Sequence, residues 1–209
     1  SLSLPDGVGS PAHEASPPLA HILKRGDVLA LFLGCLLLQF SHGPYYVFFS
    51  VYLDSHGYTK REIGGLWSLG VLAEIILFLF IPALLRRFTL RAVFVSSLVL
   101  GGLRWGLLGW AVESPLLMVL IQGLHAASFG SAHIAAVHLV QHHFKGIHHG
   151  TGQALYGSVS FGLGGMLGSL MAGYLWVPLG PHGVYILAGV ASLAGAVVAG
   201  WGMRKTVYG

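Results

Sequence analysis

The stretch EIGGLWSLGVLAEIILFLFIPALL, residues 62–85, decides the class of this protein. After Glu62 its only charged residue is Glu74, and the rest is almost entirely apolar. About 20 apolar residues suffice for a helix to cross a hydrocarbon core of ~30 Å. At ~1.5 Å per residue, Glu74 would lie near the middle of that core. The stretch therefore predicts a transmembrane helix with a carboxyl group near its midpoint.

Five further segments of the same character surround this one. They cover about 27–53, 90–112, 115–141, 151–177 and 181–203. The turn signals DSHGYTK, RRFT, ESP, FKGIHHG and PLGPHG separate the six segments. The sequence therefore predicts an all-α membrane protein in which residues 27–203 form a six-transmembrane-helix bundle.

The composition excludes an ordinary soluble domain. Hydrophobic residues make up 55% of the chain and charged residues 9%, against about 25% charged in soluble domains. The net charge of +4 gives no basic patch for nucleic acid, because Lys and Arg lie at the ends of the segments. Cys35 is the only cysteine, and HHFKGIHH is interpreted as a polar turn. We therefore expect a lipid bilayer around the chain, no nucleic acid, no metal and no cofactor.

The distribution of basic residues predicts the orientation. Six spans place both termini on one side, which would hold eight Lys and Arg residues against two opposite. The eight are Lys24, Arg25, Arg86, Arg87, Arg91, Lys145, Arg204 and Lys205, and the two are Lys60 and Arg61. Basic loops favour the cytoplasm. We expect both termini to be cytoplasmic, in the plasma or inner membrane.

The chain opens in a Pro/Ser/Gly-rich stretch, SLSLPDGVGSPAHEASPP, which is typical of a linker. The predicted organisation is a cytoplasmic linker over 1–26, the bundle over 27–203 and a cytoplasmic tail over 204–209. Because it opens in a linker, the sequence is expected to be a piece of a longer protein.

Two of the six segments carry the same polar pattern, at positions i, i+3 and i+7 and offset by 83 residues. The members are Gln39, His42 and Tyr46 in the first segment and Gln122, His125 and Phe129 in the fourth. These positions share one face of a helix. Because three spans make one repeat unit, the second copy would be inverted. Inverted repeats are typical of secondary transporters, whose binding sites lie near the midplane at the repeat interface.

Glu74 and Arg104 both lie deep inside predicted spans. A charge at that depth costs at least ~2.5–3.5 kcal/mol, so it needs a partner or a wet cavity. Opposite charges on sequential helices predict either an ion pair or a shared aqueous pocket; a purely helix-locking role is the alternative. His42 and His125 change charge near neutral pH, which suits proton-coupled binding.

Five stretches together resemble the C-terminal half of a major facilitator superfamily transporter. They are LLLQFSHGPYYVFFSVYL, GYTKREIGGLWSLGVLAEI, LRWGL, GLHAASFGSAHIAAV and GTGQALYGSVSFGLGG. The most similar branch is the phenylpropionate permease family, related to lactose permease and the nucleoside–proton symporters. The resemblance implies that these are the last six of twelve spans and that an N-terminal six-helix half is a missing partner.

The resemblance also implies roles for particular residues. Glu74 matches the acid that binds sugar in lactose permease, Arg104 its buried arginine and His125 its histidine. Ser128 stands where that protein has a proton-carrying glutamate. A serine does not titrate, so a proton would have to bind Glu74 or His125 instead.

The sequence therefore predicts secondary active transport of a small organic solute that is aromatic carboxylate-, sugar- or nucleoside-like. The predicted mechanism is proton-coupled symport by alternating access, and we expect no enzyme activity. The predicted substrate- and proton-binding residues are Glu74, Arg104, His125, Gln122, His42, Gln39, Tyr46 and Phe129. The alternatives are a six-span intramembrane enzyme or a pore. They are disfavoured because Gly-x-Ser-Gly and Asn-Pro-Ala motifs are missing.

Overall fold

The computed structural model describes residues 18–204. All regular secondary structure in that range is helical, and the range contains no strand. Most of the predicted linker (1–17) and of the predicted tail (205–209) lies outside the described residues. A short helix, α1 (Leu19–Leu23), falls inside the predicted linker range. Its Ile22 is buried among apolar residues of the bundle, so the chain already contacts the bundle before the first span.

The spans that follow agree with the predicted ones to within a few residues. They are α2 (Gly26–Asp54), α3 (Lys60–Arg87), α4 (Leu90–Ala111) and α5 (Pro115–His143). The remaining helical stretch, Gly146–Gly202, is interrupted at Gly180, whose φ of 67° and ψ of 173° are not helical. We call its two parts α6 (146–179) and α7 (181–202). Each part is long enough to cross a bilayer, so the prediction of an all-α, six-span bundle is confirmed.

Hydroxyl side chains fix where three of the spans begin. The Thr59 hydroxyl accepts from the backbone N–H of Glu62 at 3.3 Å, and the Glu62 carboxylate accepts from the N–H of Thr59 at 2.8 Å. Thr89 and Ser114 cap α4 and α5 through the same kind of side-chain acceptor. Such caps satisfy N–H groups that would otherwise have no partner at a helix start.

Backbone-to-backbone packing joins α2 to α6. A Cβ added to Gly43 would lie 2.1 Å from the carbonyl carbon of Gly168, and one added to Gly168 would lie 2.1 Å from the carbonyl oxygen of Phe40. A Cβ on Gly164 would similarly meet the carbonyl oxygen of Leu36 at 2.5 Å. Membrane helices approach this closely only where small residues remove the side chain. These glycines therefore set the distance between the two repeat units.

Helix α3 is the least buried span. In its most apolar window only 6% of the residues are buried, against 67% in α2. It packs mainly against α5. Its exposed large apolar residues include Val71, Leu72, Ile75, Ile76, Leu79 and Phe80. A surface this apolar has to be covered by lipid or by protein.

The order of the spans agrees with the predicted inverted repeat. The first three spans, α2–α4, and the last three, α5–α7, form the two units. Each unit contains an odd number of spans, so the second unit enters the bilayer from the side opposite to the first. Helices α2 and α5, which carry the matched polar pattern, are thereby brought into the same bundle with opposite directions.

Candidate functional site

Polar side chains from four helices meet in the middle of the bundle. The most direct contact joins α3 to α5, where Nε2 of His125 lies 2.7 Å from Oε1 of Glu74. The His125 side chain is 8% exposed and that of Glu74 is 18% exposed. Glu74 lies halfway along α3. The two ionisable groups therefore meet at mid-depth and remain within reach of a small solute or of water.

Two glycines lie where α3 and α5 approach each other at this contact. A Cβ on Gly70 would lie 3.5 Å from Cδ2 of His125. A Cβ on Gly130 would lie 3.3 Å from Cγ of Glu74 and 3.1 Å from Cδ2 of Leu77. A Cβ at Gly70 would thus make an ordinary van der Waals contact, whereas one at Gly130 would require Leu77 or Glu74 to shift by a few tenths of an ångström. Gly130 therefore favours the short contact between the carboxylate and the imidazole.

A π-helical turn in α5, Ala126–Gly130, follows directly after His125. Such turns are rare and frequently occur at functional sites, because they redirect the side chains around them. Phe129 lies in the turn, and its ring stacks on the His125 ring with centroids 5.2 Å apart and planes within 7°. Phe129 therefore supports the orientation of His125.

Arg104 is fully buried and is held by α5. Its Nε donates to the carbonyl oxygen of Ile121 at 3.2 Å, and its Nη2 donates to Oε1 of Gln122 at 3.1 Å. Its guanidinium also lies over the rings of Tyr45 and Trp105, 4.7 and 4.2 Å from their centroids. Cation–π contacts of this kind stabilise a desolvated cation. Arg104 is thus a buried cation that lies between α5 and the aromatic rings of Tyr45 and Trp105.

Glu74 and Arg104 were predicted either to form an ion pair or to share an aqueous pocket, and they do not form an ion pair. Among the described residues Glu74 pairs with His125, and Arg104 donates to Ile121 and Gln122. The physical reason is that the Tyr45 ring and Gln122 occupy the space beside the guanidinium. The two charges contribute to one polar cluster without touching.

Gln122 links the buried cation to the aromatic side of the site. Its Oε1 accepts from Arg104 and lies 3.3 Å from the Tyr45 hydroxyl, and its Nε2 lies 3.2 Å from the same hydroxyl. Tyr45 is not among the residues predicted from the repeat pattern. Its position three residues after His42, on the same helix face, is the signal that could have identified it.

His42 belongs to the same cluster. Its Nδ1 lies 2.8 Å from the carbonyl oxygen of Leu38, which can only accept, so Nδ1 carries the hydrogen. In the neutral ring Nε2 is therefore an acceptor. The His42 ring packs against Trp105, Phe129 and His125, with centroids 4.8, 5.0 and 5.9 Å away.

Four buried polar atoms of the predicted site residues have no hydrogen-bond partner within the described chain. They are Nε2 of Gln39, Nε2 of His42, Nη1 of Arg104 and Nδ1 of His125. Leaving such an atom unsatisfied costs about 1–3 kcal/mol, so groups of them are rare in proteins. Their concentration here indicates a place where a polar ligand or solvent completes the hydrogen bonding.

The remaining predicted residues lie at the margins of the cluster. Tyr46 is 48% exposed, at the open edge, and its ring is parallel to that of Trp67 at 6.4 Å. Gln39 is buried where α2 meets α6, and a Cβ on Gly164 would lie 3.2 Å from its Cβ. Ser128 is buried, and its hydroxyl donates to the carbonyl oxygen of Leu124 at 2.9 Å.

A second group of rings continues from Phe129 towards the end of α5. Nδ1 of His133 lies 2.8 Å from the Tyr156 hydroxyl. The Phe161 ring packs against Phe129, His133 and Tyr156, with centroids 6.4, 6.0 and 5.8 Å away. Phe161 lies in a second π-helical segment, Gly157–Gly164 of α6. Sequence periodicity missed Tyr156 and Phe161 because they follow no repeat match.

Six spans around mid-depth ionisable groups define a multi-pass membrane protein with an intramembrane polar site. Such groups are costly in a bilayer and are retained where solutes, ions or protons pass.

Comparison with known proteins identifies the family. The MFS_1 like family matches residues 8–187, so the chain belongs to this family of the major facilitator superfamily. The chain is 36% identical over 163 residues to the probable 3-phenylpropionic acid transporter of Escherichia coli (strain K12). The match covers 78% of this chain and 42% of that relative, so the chain spans less than half the relative's length. The predicted relation to the phenylpropionate permease branch is confirmed. Since this is a transporter family, the prediction of no enzyme activity is also confirmed.

Proposed function

We propose that this chain forms one half of a secondary active transporter and that an N-terminal six-helix bundle forms the other. The family and the named relative support transport of a small solute, and the chain's coverage of 42% of that relative supports a half. The sparse burial of α3 supports a second bundle beside it. Transport would proceed by alternating access, with the two bundles rocking around the polar cluster.

The proposal extends to the orientation and the domains. Both termini would lie on the cytoplasmic side of the plasma or inner membrane, because the basic residues concentrate there. Residues 1–26 would end the central cytoplasmic loop, 27–203 would form the bundle and 204–209 the tail. The polar cluster would then face the missing half from the exposed edge at Tyr46 and Glu74.

We propose that the coupling ion is a proton bound by Glu74 and His125. Their 2.7 Å contact is the single observation that carries this proposal. An imidazole nitrogen and a carboxylate oxygen this close share at least one proton, because one of the two has to donate. With that proton the pair is negative, and a second proton makes it neutral. Ser128, one turn after His125, does not titrate, which supports Glu74 and His125 as the titrating groups.

We further propose an aromatic carboxylate as the solute, in preference to the sugar- and nucleoside-like alternatives. The rings of Phe129, Phe161 and Trp67 border the polar cluster and suit an aromatic ring. Nη1 of Arg104 lacks a partner and suits a carboxylate, and Nδ1 of His125 can donate to one when the ring carries the second proton. The relative's name also refers to an aromatic acid. Arg104 is fully buried in this conformation, where it would position Gln122. It would contact a substrate carboxylate only after the Tyr45 side chain moves.

Uptake of 3-phenylpropionate by the whole protein in proteoliposomes tests this function. A gradient of about one pH unit is worth ~1.4 kcal/mol, which corresponds to about tenfold accumulation when each solute moves with a proton. Because the undissociated acid also crosses bilayers unaided, protein-free liposomes give the background rate; we expect the wild type to approach that level faster than the background and Glu74→Gln to approach it no faster. Glu62→Gln, at the start of the same helix, is the matched control and should accumulate normally. Uptake by Glu74→Gln at the wild-type rate would contradict the proposal.

A further inference from the structure

A crevice of about 570 Å³ opens between α3 and α4, away from the polar cluster. It exists because α3 packs against α5 and leaves α4 on its other side. Its walls are Leu77, Leu84 and Phe88 on one side and Ala92 and Ser96 on the other, and its floor includes Ala127 of α5. Three serines also line it: the Ser96 and Ser97 hydroxyls donate to the carbonyl oxygen of Val93 at 3.1 and 2.7 Å, and Ser131 is buried. The lining therefore presents an almost wholly apolar surface.

The depth of the crevice corresponds to one leaflet of a bilayer. It runs along α3 from Leu77, near the middle of the helix, to Phe88, just after its last residue. These positions are 11 residues apart in the sequence, which gives about 16 Å at 1.5 Å per residue. Half of a ~30 Å hydrocarbon core is about the same length. An acyl chain of a lipid in one leaflet would therefore extend along the whole crevice, from Phe88 to Leu77.

The mouth of the crevice is basic. Arg86 and Arg87 form the last turn of α3, and neither is paired with an acidic side chain of the described residues. Arg87 follows Leu84 by three positions and lies on the crevice side of the helix, whereas Arg86 follows it by two and lies on the other side. Arg91 is already engaged, since its Nη2 donates to the carbonyl oxygen of Gly200 at 2.5 Å. Arg87 is thus the cation best placed for a headgroup.

We propose that this crevice is a binding site for an anionic phospholipid, with one acyl chain between α3 and α4 and the phosphate beside Arg87. The charge complementarity and the single-leaflet depth favour a lipid over a second copy of the chain. A two-fold dimer through this surface would bring the arginines of both copies together, which repels. The acyl chain would contact Ala127, in the same π-helical turn as Phe129, and so would support the element behind His125.

Native mass spectrometry of the full chain in detergent tests the site with phosphatidylglycerol and phosphatidylcholine of identical acyl chains. A Lys or Arg near an anionic lipid surface favours binding about five-fold. We expect the wild type to retain phosphatidylglycerol about five-fold more than phosphatidylcholine. Arg87→Gln should remove most of that preference, whereas Arg86→Gln, the matched control, should keep most of it. Ala92→Phe and Ser96→Phe fill the crevice and should reduce retention of both lipids.

Several outcomes would overturn the proposal. They are equal retention of the two lipids by the wild type, equal losses in Arg86→Gln and Arg87→Gln, and undiminished retention in both crevice-filling variants. A dimeric species that forms without lipid and is lost in both crevice-filling variants would assign the surface to a second copy. Thermal unfolding of each variant checks that it is folded, and both filled positions are exposed at the surface. Inorganic phosphate alone should not raise the unfolding temperature, because the acyl chain supplies the apolar contact.

Discussion

At the scale of single residues, the contact between Glu74 and His125 explains how a carboxyl group is accommodated halfway across a bilayer. The imidazole lies 2.7 Å from the carboxylate, and both side chains keep some exposure. With one shared proton the imidazole N–H donates to the carboxylate, and with a second proton the pair carries no net charge. Gly130 favours the approach of α3 to α5, because a side chain there would press on Leu77 and Glu74. The contact therefore depends on close packing at Gly130 as well as on the two residues that meet.

Gln122 is expected to stabilise the fold through Arg104. Gln122→Leu removes the acceptor of Nη2 and leaves more of a buried cation unsatisfied, which costs about 1–3 kcal/mol. Thermal unfolding in detergent should show a lower midpoint for this variant. Gln141→Leu, on the exposed part of the same helix, is the control and should unfold like the wild type. Equal midpoints for the two variants would show that Arg104 does not depend on Gln122.

The residues of the site were predictable where they followed a repeat or carried a charge. Glu74, which was predicted from its buried charge, lies beside His42, His125 and Gln122, which were predicted from the repeat. Tyr45 lies beside them as well but falls outside the repeat pattern. The pattern could indicate that Glu74 and Arg104 lie deep in the bundle, but not that Tyr45 and Gln122 separate them. Which of several polar groups become partners depends on packing between helices, and a single sequence does not contain that geometry.

At the scale of the helices, close packing at glycines and two π-helical segments shape the bundle. Gly43 and Gly168 bring α2 and α6 together, and the segments Ala126–Gly130 and Gly157–Gly164 lie beside the aromatic rings of the site. The spans themselves, including the break at Gly180 within PLGPHG, were predictable from apolar length and turn residues. The π segments were not, because they keep an apolar helical sequence and arise from contacts with neighbouring helices.

The α2–α6 contact is expected to fail when a side chain is introduced. Gly168→Val would place a Cβ 2.1 Å from the carbonyl oxygen of Phe40, so the helices have to separate. Overpacking typically costs about 1–3 kcal/mol, and a clash with backbone should reach the upper end. Gly173→Val, where nothing lies within 4 Å, is the control on the same helix. A midpoint of thermal unfolding equal to that of Gly173→Val would contradict the packing described for α2 and α6.

At the scale of the whole molecule, the bundle has surfaces in two different environments. Tyr46, beside the polar cluster, is 48% exposed, and Leu103, on α4, is 57% exposed. In the proposed transporter the first faces a watered path and the second faces lipid. The exposed fractions of the Tyr46 and Leu103 side chains do not distinguish the two environments, but the access of water to each side chain does. The chain also has one native thiol, Cys35, which is fully buried.

Thiol labelling in membranes should separate these environments. A water-soluble maleimide is expected to modify Tyr46→Cys in the whole protein and to leave Leu103→Cys unmodified, because a thiol in lipid does not ionise and the reagent does not enter. The wild type, with only Cys35, gives the background. Absence of labelling at Tyr46→Cys would mean that no watered path reaches the cluster.

Proton uptake linked to substrate binding tests the central claim most directly. Titration calorimetry of the purified whole protein with 3-phenylpropionate, in two buffers of different ionisation enthalpy, counts the protons bound with the solute. The wild type should take up a proton with each solute molecule, because the pair of Glu74 and His125 becomes neutral as the site fills. Glu74→Gln should bind the solute with no proton uptake. A wild type whose binding heat is the same in both buffers, or a Glu74→Gln variant that still takes up the proton, would contradict the account.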